Sequence, residues 1–331
     1  MNQASSAAHD VVAIGNAIVD VLSHAGDDFL AGHGLAKGAM TLVDAGRAAA
    51  LYAAMGPGVE VSGGSAANTV AGIASFGGNA AFIGKVGDDQ LGEVFSHDIR
   101  AAGVSFASAP AAEGEPTGRC LILVTPDAQR TMQTFLGASA GLGPEDVDEA
   151  LVAASSVTYL EGYLWDPPPA KEAFVKAAGI AQGAGRKVAL SLSDSFCVDR
   201  HRAEFLDLVN NHVHILFANE AEITSLYEVG EFDEALQRVR GHCDIAALTR
   251  SDKGSVVVSG GEVHVLDAAA VGKVVDTTGA GDLYAAGFLH GYTRGMDPAA
   301  CGRLGGIAAA EIISHFGARP ETPLAELAGG D

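Results

Sequence analysis

Basic residues are scarce in this chain: 20 Lys and Arg stand against 41 Asp and Glu, a formal net charge of −21. So acidic a protein repels the phosphates of nucleic acid and anionic lipid, which excludes a general nucleic-acid or membrane-surface binder. One small phosphorylated ligand is not excluded, because a local site can override the global field. Cysteine is scarce as well. The four, Cys120, Cys197, Cys243 and Cys301, lie at least 46 residues apart with no CxxC pair. That spacing argues against a disulfide framework and against a structural zinc site. Met1 to His9 has no Lys or Arg and no apolar run, so it does not read as a signal peptide. The longest uncharged stretch, Val61–Gly84, runs 24 residues but holds six glycines and two asparagines, which a lipid-embedded helix would not favour. A cytoplasmic protein is the expectation.

What is present is a chain of 331 residues, 48% hydrophobic and 18% charged. That is the composition of a globular protein with one large domain, or a domain with a sizeable attachment. Short apolar runs alternate with helical patterns. Strands are predicted at 11–15, 80–86, 156–160, 187–192, 213–217, near 244–249 and within 254–266. Helices are predicted at 66–76, 90–102, 170–182, 201–210, 280–294 and 298–314. This alternation predicts an α/β layer fold with a mostly parallel sheet. Two turn-rich stretches with β patterning, 17–60 and 104–136, interrupt it. They divide the chain into a core of 1–16, 61–103 and 137–331 and a small β lid of 17–60 and 104–136, placed over the strand ends where open α/β folds bind ligands.

The chemistry concentrates in Asp276-Thr277-Thr278-Gly279-Ala280-Gly281-Asp282, directly before an apolar helical run. Small residues let the backbone approach a ligand, and a helix beginning here aims free N–H groups and its positive dipole end at an anion. Asp282 falls in the first turn, where the dipole favours the carboxylate. A carboxylate beside a phosphate cradle suits a base that deprotonates an attacking alcohol; a dipole partner with packing glycines is the alternative. Other motifs fail on spacing. Gly78 to Gly84-Lys85-Val86 has one residue too many for a P-loop and Val where Ser or Thr is needed. Tyr284 occupies the third glycine position of a dinucleotide fingerprint. Gly137-Ala138-Ser139-Ala140-Gly141 matches a hydrolase nucleophile elbow, but the following Gly143 and Pro144 oppose the helix that elbow requires.

Asp276–Asp282 resembles the C-terminal signature of the ribokinase (PfkB) family of carbohydrate and nucleoside kinases. Gly63-Gly64-Ser65-Ala66-Ala67-Asn68-Thr69, with Ile83-Gly84-Lys85-Val86-Gly87-Asp88-Asp89-Gln90-Leu91-Gly92, resembles its N-terminal signature, and Asn219-Glu220-Ala221-Glu222 its Asn-x-x-Glu motif. The resemblance implies a ribokinase-like three-layer α/β/α core with a β lid and ATP-dependent phosphorylation of a primary alcohol. It implies Asp282 as base and the backbone of Gly279, Ala280 and Gly281 as anion hole. Glu222 and Asn219 would organise Mg2+ through water. Asn219, Thr249, Gly254, Gly279 and Gly281 would meet the nucleotide. Asp276 and Thr278, with backbone from 312–317, would hold a monovalent cation such as K+, or Asp276 would merely pin the loop. Arg130 would meet the phosphoryl group in transit, or would be a surface arginine.

For the acceptor, the resemblance implies contacts from Asn16, Asp20, Gly63, Gly64 and Asn68, which suit the vicinal hydroxyls of any ribose-like polyol. The flanks at 11–20, 115–120, 190–196 and 215–220 look more like adenosine kinases. Met40, Phe135, Tyr163 and Phe196 are the candidate purine faces, or else core residues. Glu161 departs from the pattern, a charge where adenosine kinases usually carry a small residue. The expectation is therefore phosphorylation of the 5′-hydroxyl of adenosine, with a fructokinase- or ribokinase-type sugar kinase as the alternative. A silent ligand sensor is more remote, because base and anion hole are both intact. A monomer or homodimer that binds only ATP and a small acceptor completes the expectation.

Overall fold

The computed structural model describes residues 7–127 and 129–329. Residues 1–6 and 330–331 of the expected core and residue 128 of the second insertion lie outside them. The strands are β1 (His9–Ile14), β2 (Ile18–His24), β3 (Met40–Leu42), β4 (Val59–Gly63), β5 (Ala80–Ile83), β6 (Thr117–Val124), β7 (Arg130–Gly137), β8 (Ser155–Glu161), β9 (Lys187–Ser191), β10 (Ile215–Asn219), β11 (Ile245–Thr249), β12 (Ser255–Ser259) and β13 (Glu262–Leu266). They form an eight-stranded sheet in the order β13-β12-β11-β10-β9-β8-β1-β5 and a five-stranded sheet in the order β3-β7-β6-β2-β4.

From β5 across to β11 the large sheet is parallel, and β12 and β13 add an antiparallel hairpin. Parallel strands are covered on both faces, which is why they read as unbroken apolar runs. Val11 and Ala13 enter the core beneath helices Ser65–Ser75, Ala280–Thr293 and Pro298–Ile312. Val12 and Ile14 enter the opposite core beneath helices Pro168–Gly183, Ser195–Asn211, Glu220–Tyr227 and Phe232–Val239. Helix, sheet and helix make the three layers expected.

Several details differ from the sequence reading. The run 254–266 is two strands, split at Gly260-Gly261, both at positive φ (56° and 88°), the backbone a tight hairpin turn requires. The lid sheet takes in Val61–Gly63, which the division at residue 61 had placed with the core. The first insertion also contains helices Asp27–Gly32 and Ala45–Ala54. Asp44 caps the second by accepting from Arg47 N at 2.7 Å, and Ala48 and Leu51 are buried beneath it.

One tie between the two sheets runs through Asp89. Asp89 caps helix Gln90–Ala101 by accepting from Gly92 N at 2.9 Å, and it also accepts from Thr117 N at 2.8 Å and Thr117 Oγ1 at 2.7 Å. Thr117 Oγ1 in turn accepts from Gly87 N at 2.9 Å. A Cβ at Gly92 would collide with Gly87 O. The N-terminal signature thus folds as a clamp between core helix and lid strand, and its glycines are there for close approach.

Candidate active site

The strand order reverses at β1: the chain passes from β1 to β5 on one side, and later places β8 on the other. In open α/β sheets that reversal leaves a crevice at the carboxyl ends of the strands. Asn16 follows β1, Glu161 ends β8, and Asn219 and Thr249, register partners, end β10 and β11. Of the three non-glycine residues at positive φ among the described residues, Ser193 (70°) and Ser251 (55°) lie in the connections that follow β9 and β11 at the same edge. Ser193 Oγ accepts from Tyr163 N at 3.1 Å.

Helix Ala280–Thr293 starts at Gly279, at φ 78°, and carries Asp282 in its first turn. The N–H groups of a first turn have no partner within the helix. That of Ala280 turns back to Thr277 O at 3.3 Å. Space beside Gly281 is open, with nothing within 4 Å of where a Cβ would stand. Asp282 is held by a neighbouring helix. Ser65 Oγ donates to it at 2.6 Å and Asn68 Nδ2 at 2.9 Å. The two helices pack this closely because residue 72 is glycine: a Cβ there would collide with Leu283 and Ala286. Burial raises the Asp282 pKa above its usual value, with the Ser65 and Asn68 donors and the Arg319 charge opposing that rise.

Two polar groups beside Asp282 lack protein partners. Asn68 Oδ1 is buried without one. The Asp20 carboxylate is 8% exposed, and no donor among the described residues reaches it. Burial pushes Asp20 up to about 7 against the pull of Arg319. Asp20 lies against Gly63, where a Cβ would strike its carboxyl group. Gly64 has φ 100°, and a Cβ there would collide with Asn16 O. Both glycines are demanded by space.

Several expected contacts are placed differently. Asn16 is 2% exposed and spent internally. Its Nδ2 donates to Glu161 at 2.6 Å and its Oδ1 accepts from Ser139 Oγ at 3.0 Å. It therefore anchors the floor of the crevice rather than offering a free amide to a substrate. Ser139, the apparent nucleophile of the GxSxG run, is fully buried. Phe135 is corrected by strand alternation. Asp20, Cys120 and Thr134 are register partners, as are Met40 and Met132, so Phe135 points to the other face of the lid sheet. Met40 shares the Asp20 face and is 41% exposed; Phe196 is 73% exposed at the start of its helix. Tyr163 lies in the field of Asp194, Glu222, Asp282 and Glu161, which with burial raises its pKa well above the ordinary.

Arg130 does not point free toward an acceptor. Its guanidinium pairs with Asp276 and donates to Thr278 Oγ1, with Phe316 5.7 Å from it. Asp276 also accepts from Thr278 N at 2.6 Å and Gly317 N at 2.9 Å. Both its oxygens are engaged, so the residues expected to hold a monovalent cation hold an arginine.

Asn219 and Glu222 form a reciprocal helix cap. Glu222 N donates to Asn219 Oδ1 at 2.9 Å, while Asn219 N donates to Glu222 at 2.9 Å and Asn219 Nδ2 at 2.5 Å. Burial raises Glu222 to about 7. With both carboxylate oxygens accepting, this pair suits a hydrated ion rather than direct ligation. Gly254, at φ 80°, packs so closely on Leu266 O that no side chain fits, and it accepts from Arg250 N at 2.8 Å. Arg250 pairs with Glu220 at 3.0 Å and stacks 4.0 Å from the Phe232 ring.

Sequence reasoning missed Ser65 as the partner of Asp282, Glu161 as a structural group, and Arg319. Glu161, 1% exposed, accepts from Asn16 and from Ala66 N at 2.8 Å, fixing the start of helix Ser65–Ser75. Arg319 donates to Ser62 O at 2.9 Å and Ala67 O at 2.6 Å, bracketing the Gly63-Gly64 turn. Ser65 stood inside a recognised motif. Nothing in the spacing around Arg319 pointed to the turn.

Comparison with known proteins bears on the family and the fold. The profile of the pfkB family carbohydrate kinases matches residues 54–325. The crystal structure of adenosine kinase from Sinorhizobium meliloti is 55% identical, covers 97% of this chain and 98% of that one, and superimposes with a TM-score of 0.91. A probable sugar kinase from Rhizobium etli CFN 42 is 52% identical over 97% of this chain and 98% of its own, with a TM-score of 0.92. An ATP-dependent ribose-1-phosphate kinase from Halopiger xanaduensis is 32% identical, over 70% of this chain and 73% of the relative. The chain has the ribokinase-like fold, acts as a phosphotransferase with an alcohol acceptor, and belongs to the pfkB family of carbohydrate kinases.

Proposed function

We propose that the chain phosphorylates the 5′-hydroxyl of adenosine, or of a closely related ribonucleoside, at the expense of ATP. The observation that carries the ribose half is the buried, unpartnered acceptor beside the base, Asn68 Oδ1, with the nearly buried Asp20 carboxylate next to it. A buried acceptor without a donor is costly, and the hydroxyls of a ribose would supply donors to both. The 55% identity to an adenosine kinase over nearly the whole chain supports the purine half, as does exposed Met40 on the Asp20 face of the lid.

Asp282 takes the acceptor proton as the oxygen attacks, and its raised pKa makes it a better base than a surface carboxylate. Ser65 and Asn68 hold it in line. The free N–H groups of Gly279 and Gly281 and the helix dipole stabilise the charge on the transferring phosphoryl oxygens. Asn219, Thr249 and Gly254 form the nucleotide side. A hydrated Mg2+ held there by Glu222 and Asn219 would neutralise charge on the triphosphate.

A sugar kinase is the second reading, favoured by the Rhizobium etli relative. A coupled ADP-release assay with adenosine, inosine, ribose and fructose separates them. Adenosine should exceed ribose in kcat/KM by about 10-fold or more if the base adds contacts of ordinary worth. Ribose or fructose ahead of adenosine overturns the nucleoside reading.

A further inference from the structure

A carboxylate as buried as that of Asp276, with a side chain 1% exposed, needs a positive partner. It sits at the root of the loop that leads into Gly279–Gly281 and is bound to Thr278 N and Gly317 N. Two kinds of partner would satisfy it: a monovalent ion from solution or a charged side chain. Here the partner is Arg130, which comes from the other sheet, on β7, and reaches Asp276 and Thr278 Oγ1 together. Its stem is buried, its side chain only 11% exposed, and the Phe316 ring lies against the guanidinium. The space left between Arg130, Asp276, Thr278, Asp20 and Arg319 is about 10 Å³, the size of a single water.

We propose that the Arg130 guanidinium is a tethered counter-ion that replaces a monovalent metal at Asp276 and Thr278, so that the anion-hole loop receives its cation from the lid sheet. Arg130 is then a positioning residue. It acts on Gly279–Gly281 through Asp276, and the order of that loop depends on the two sheets lying together. The enzyme should be indifferent to K+, because the site is filled at an effective concentration no dissolved ion reaches. Only the turnover arm of the test rests on the kinase reading.

The experiment compares the wild type with Arg130→Met, which keeps an apolar stem beside Phe316 and removes the charge. Both are melted in potassium, sodium, guanidinium or tetramethylammonium chloride at one low ionic strength, so that screening is constant. The wild type should melt at one temperature in all four. Arg130→Met should melt lower and recover by about 2–4 °C in potassium or guanidinium but not in tetramethylammonium, which is too large to enter. ADP release should follow the same order, with the wild-type rate constant within about twofold and the variant rising about fivefold or more on rescue. Arg130→Lys retains a charge and serves should Arg130→Met fail to fold: its response to potassium should be smaller than twofold, roughly like the wild type. A potassium-specific gain in the wild type overturns the proposal. So does a folded Arg130→Met that no cation rescues. The melting arm decides the matter even if none of the alcohols is a substrate.

Discussion

Asp282 is shaped by groups that lie more than 200 residues away in the chain, Ser65 and Asn68. Their donors hold the carboxylate in one orientation while burial raises its proton affinity, the balance a general base requires. Asp282→Asn should leave ATP affinity within about twofold by titration while kcat falls by about 10²–10⁴. A variant that keeps more than roughly a tenth of the rate removes Asp282 from that role. Glu161 offers a second test. Burial raises it to about 7, while its bonds to Ala66 and Asn16 lower it. A carboxyl with a raised pKa binds its proton more tightly in the native state than in the unfolded chain. Stability is therefore lost as pH climbs from the ordinary glutamate range to about 7. Asp20 and Glu222 are shifted the same way. The urea midpoint should fall from about pH 5 to about pH 8, and Glu161→Gln should flatten that slope. A slope unchanged by the substitution leaves the effect to Asp20 and Glu222. Asp276–Asp282 was legible because loop, anion hole and base are consecutive. Glu161 read only as a misfit, because its partners Asn16 and Ala66 meet it through the sheet. The engagement of Arg130 by Asp276 was invisible for the same reason.

Except for the helix expected at 201–210, which begins at Ser195 and breaks helical geometry at His201, elements with continuous apolar strands or long helices were legible to within a few residues, since parallel strands buried on both faces leave no alternation to misread. Short helices were not. Phe232–Val239 buries Phe232, Ala235, Leu236 and Val239, a clear helical spacing, but with only eight residues and four charges among 231–238 it was assigned no element. The N-terminal signature was legible as a resemblance, yet its physical sense is the clamp of Asp89, Gly87 and Thr117. The clamp can be dissected. Asp89→Ala loses both a helix cap and the bonds to the lid strand, and should cost about 1–2 kcal/mol by urea unfolding. Thr117→Val keeps the cap and removes only the hydroxyl bonds, so its stability loss should be smaller, about 1 kcal/mol. If the clamp sets the posture of the lid, Thr117→Val should raise the acceptor KM more than the ATP KM. Equal rises in both would make the clamp a matter of stability alone.

At the scale of the whole molecule, two sheets meet around the pocket lined by Asp20, Arg130, Asp276 and Arg319. The lid sheet contributes Asp20 and Arg130; the core contributes Asp282, Asn68 and the Gly279–Gly281 turn. Among the charged groups drawn together there, Arg130 and Arg319 are the positive ones set against Asp20, Asp276 and Asp282. In a chain of net charge −21, the proposed phosphate site would therefore rest chiefly on backbone N–H groups and the helix dipole, which act only at close range. Close range requires water to be excluded when the acceptor is bound. The acceptor's hydroxyls would bridge Asp20 on the lid to Asn68 and Asp282 on the core, and so should draw the sheets together. Hydrogen exchange checks this directly. On adding the acceptor, amides of β2 and β6 should slow by about 10-fold or more, those of buried β9 and β10 far less, because the core strands are already at the stable end of the range. ATP hydrolysis without acceptor should stay at least about 100-fold below turnover with it, since an open crevice leaves the base no positioned hydroxyl. Asp20→Ala should abolish the slowing while leaving the core amides as they were, if Asp20 is the group by which the lid sheet holds the acceptor. If exchange in β2 and β6 is the same with and without the acceptor, the second sheet is a fixed wall and its closure plays no part in excluding water.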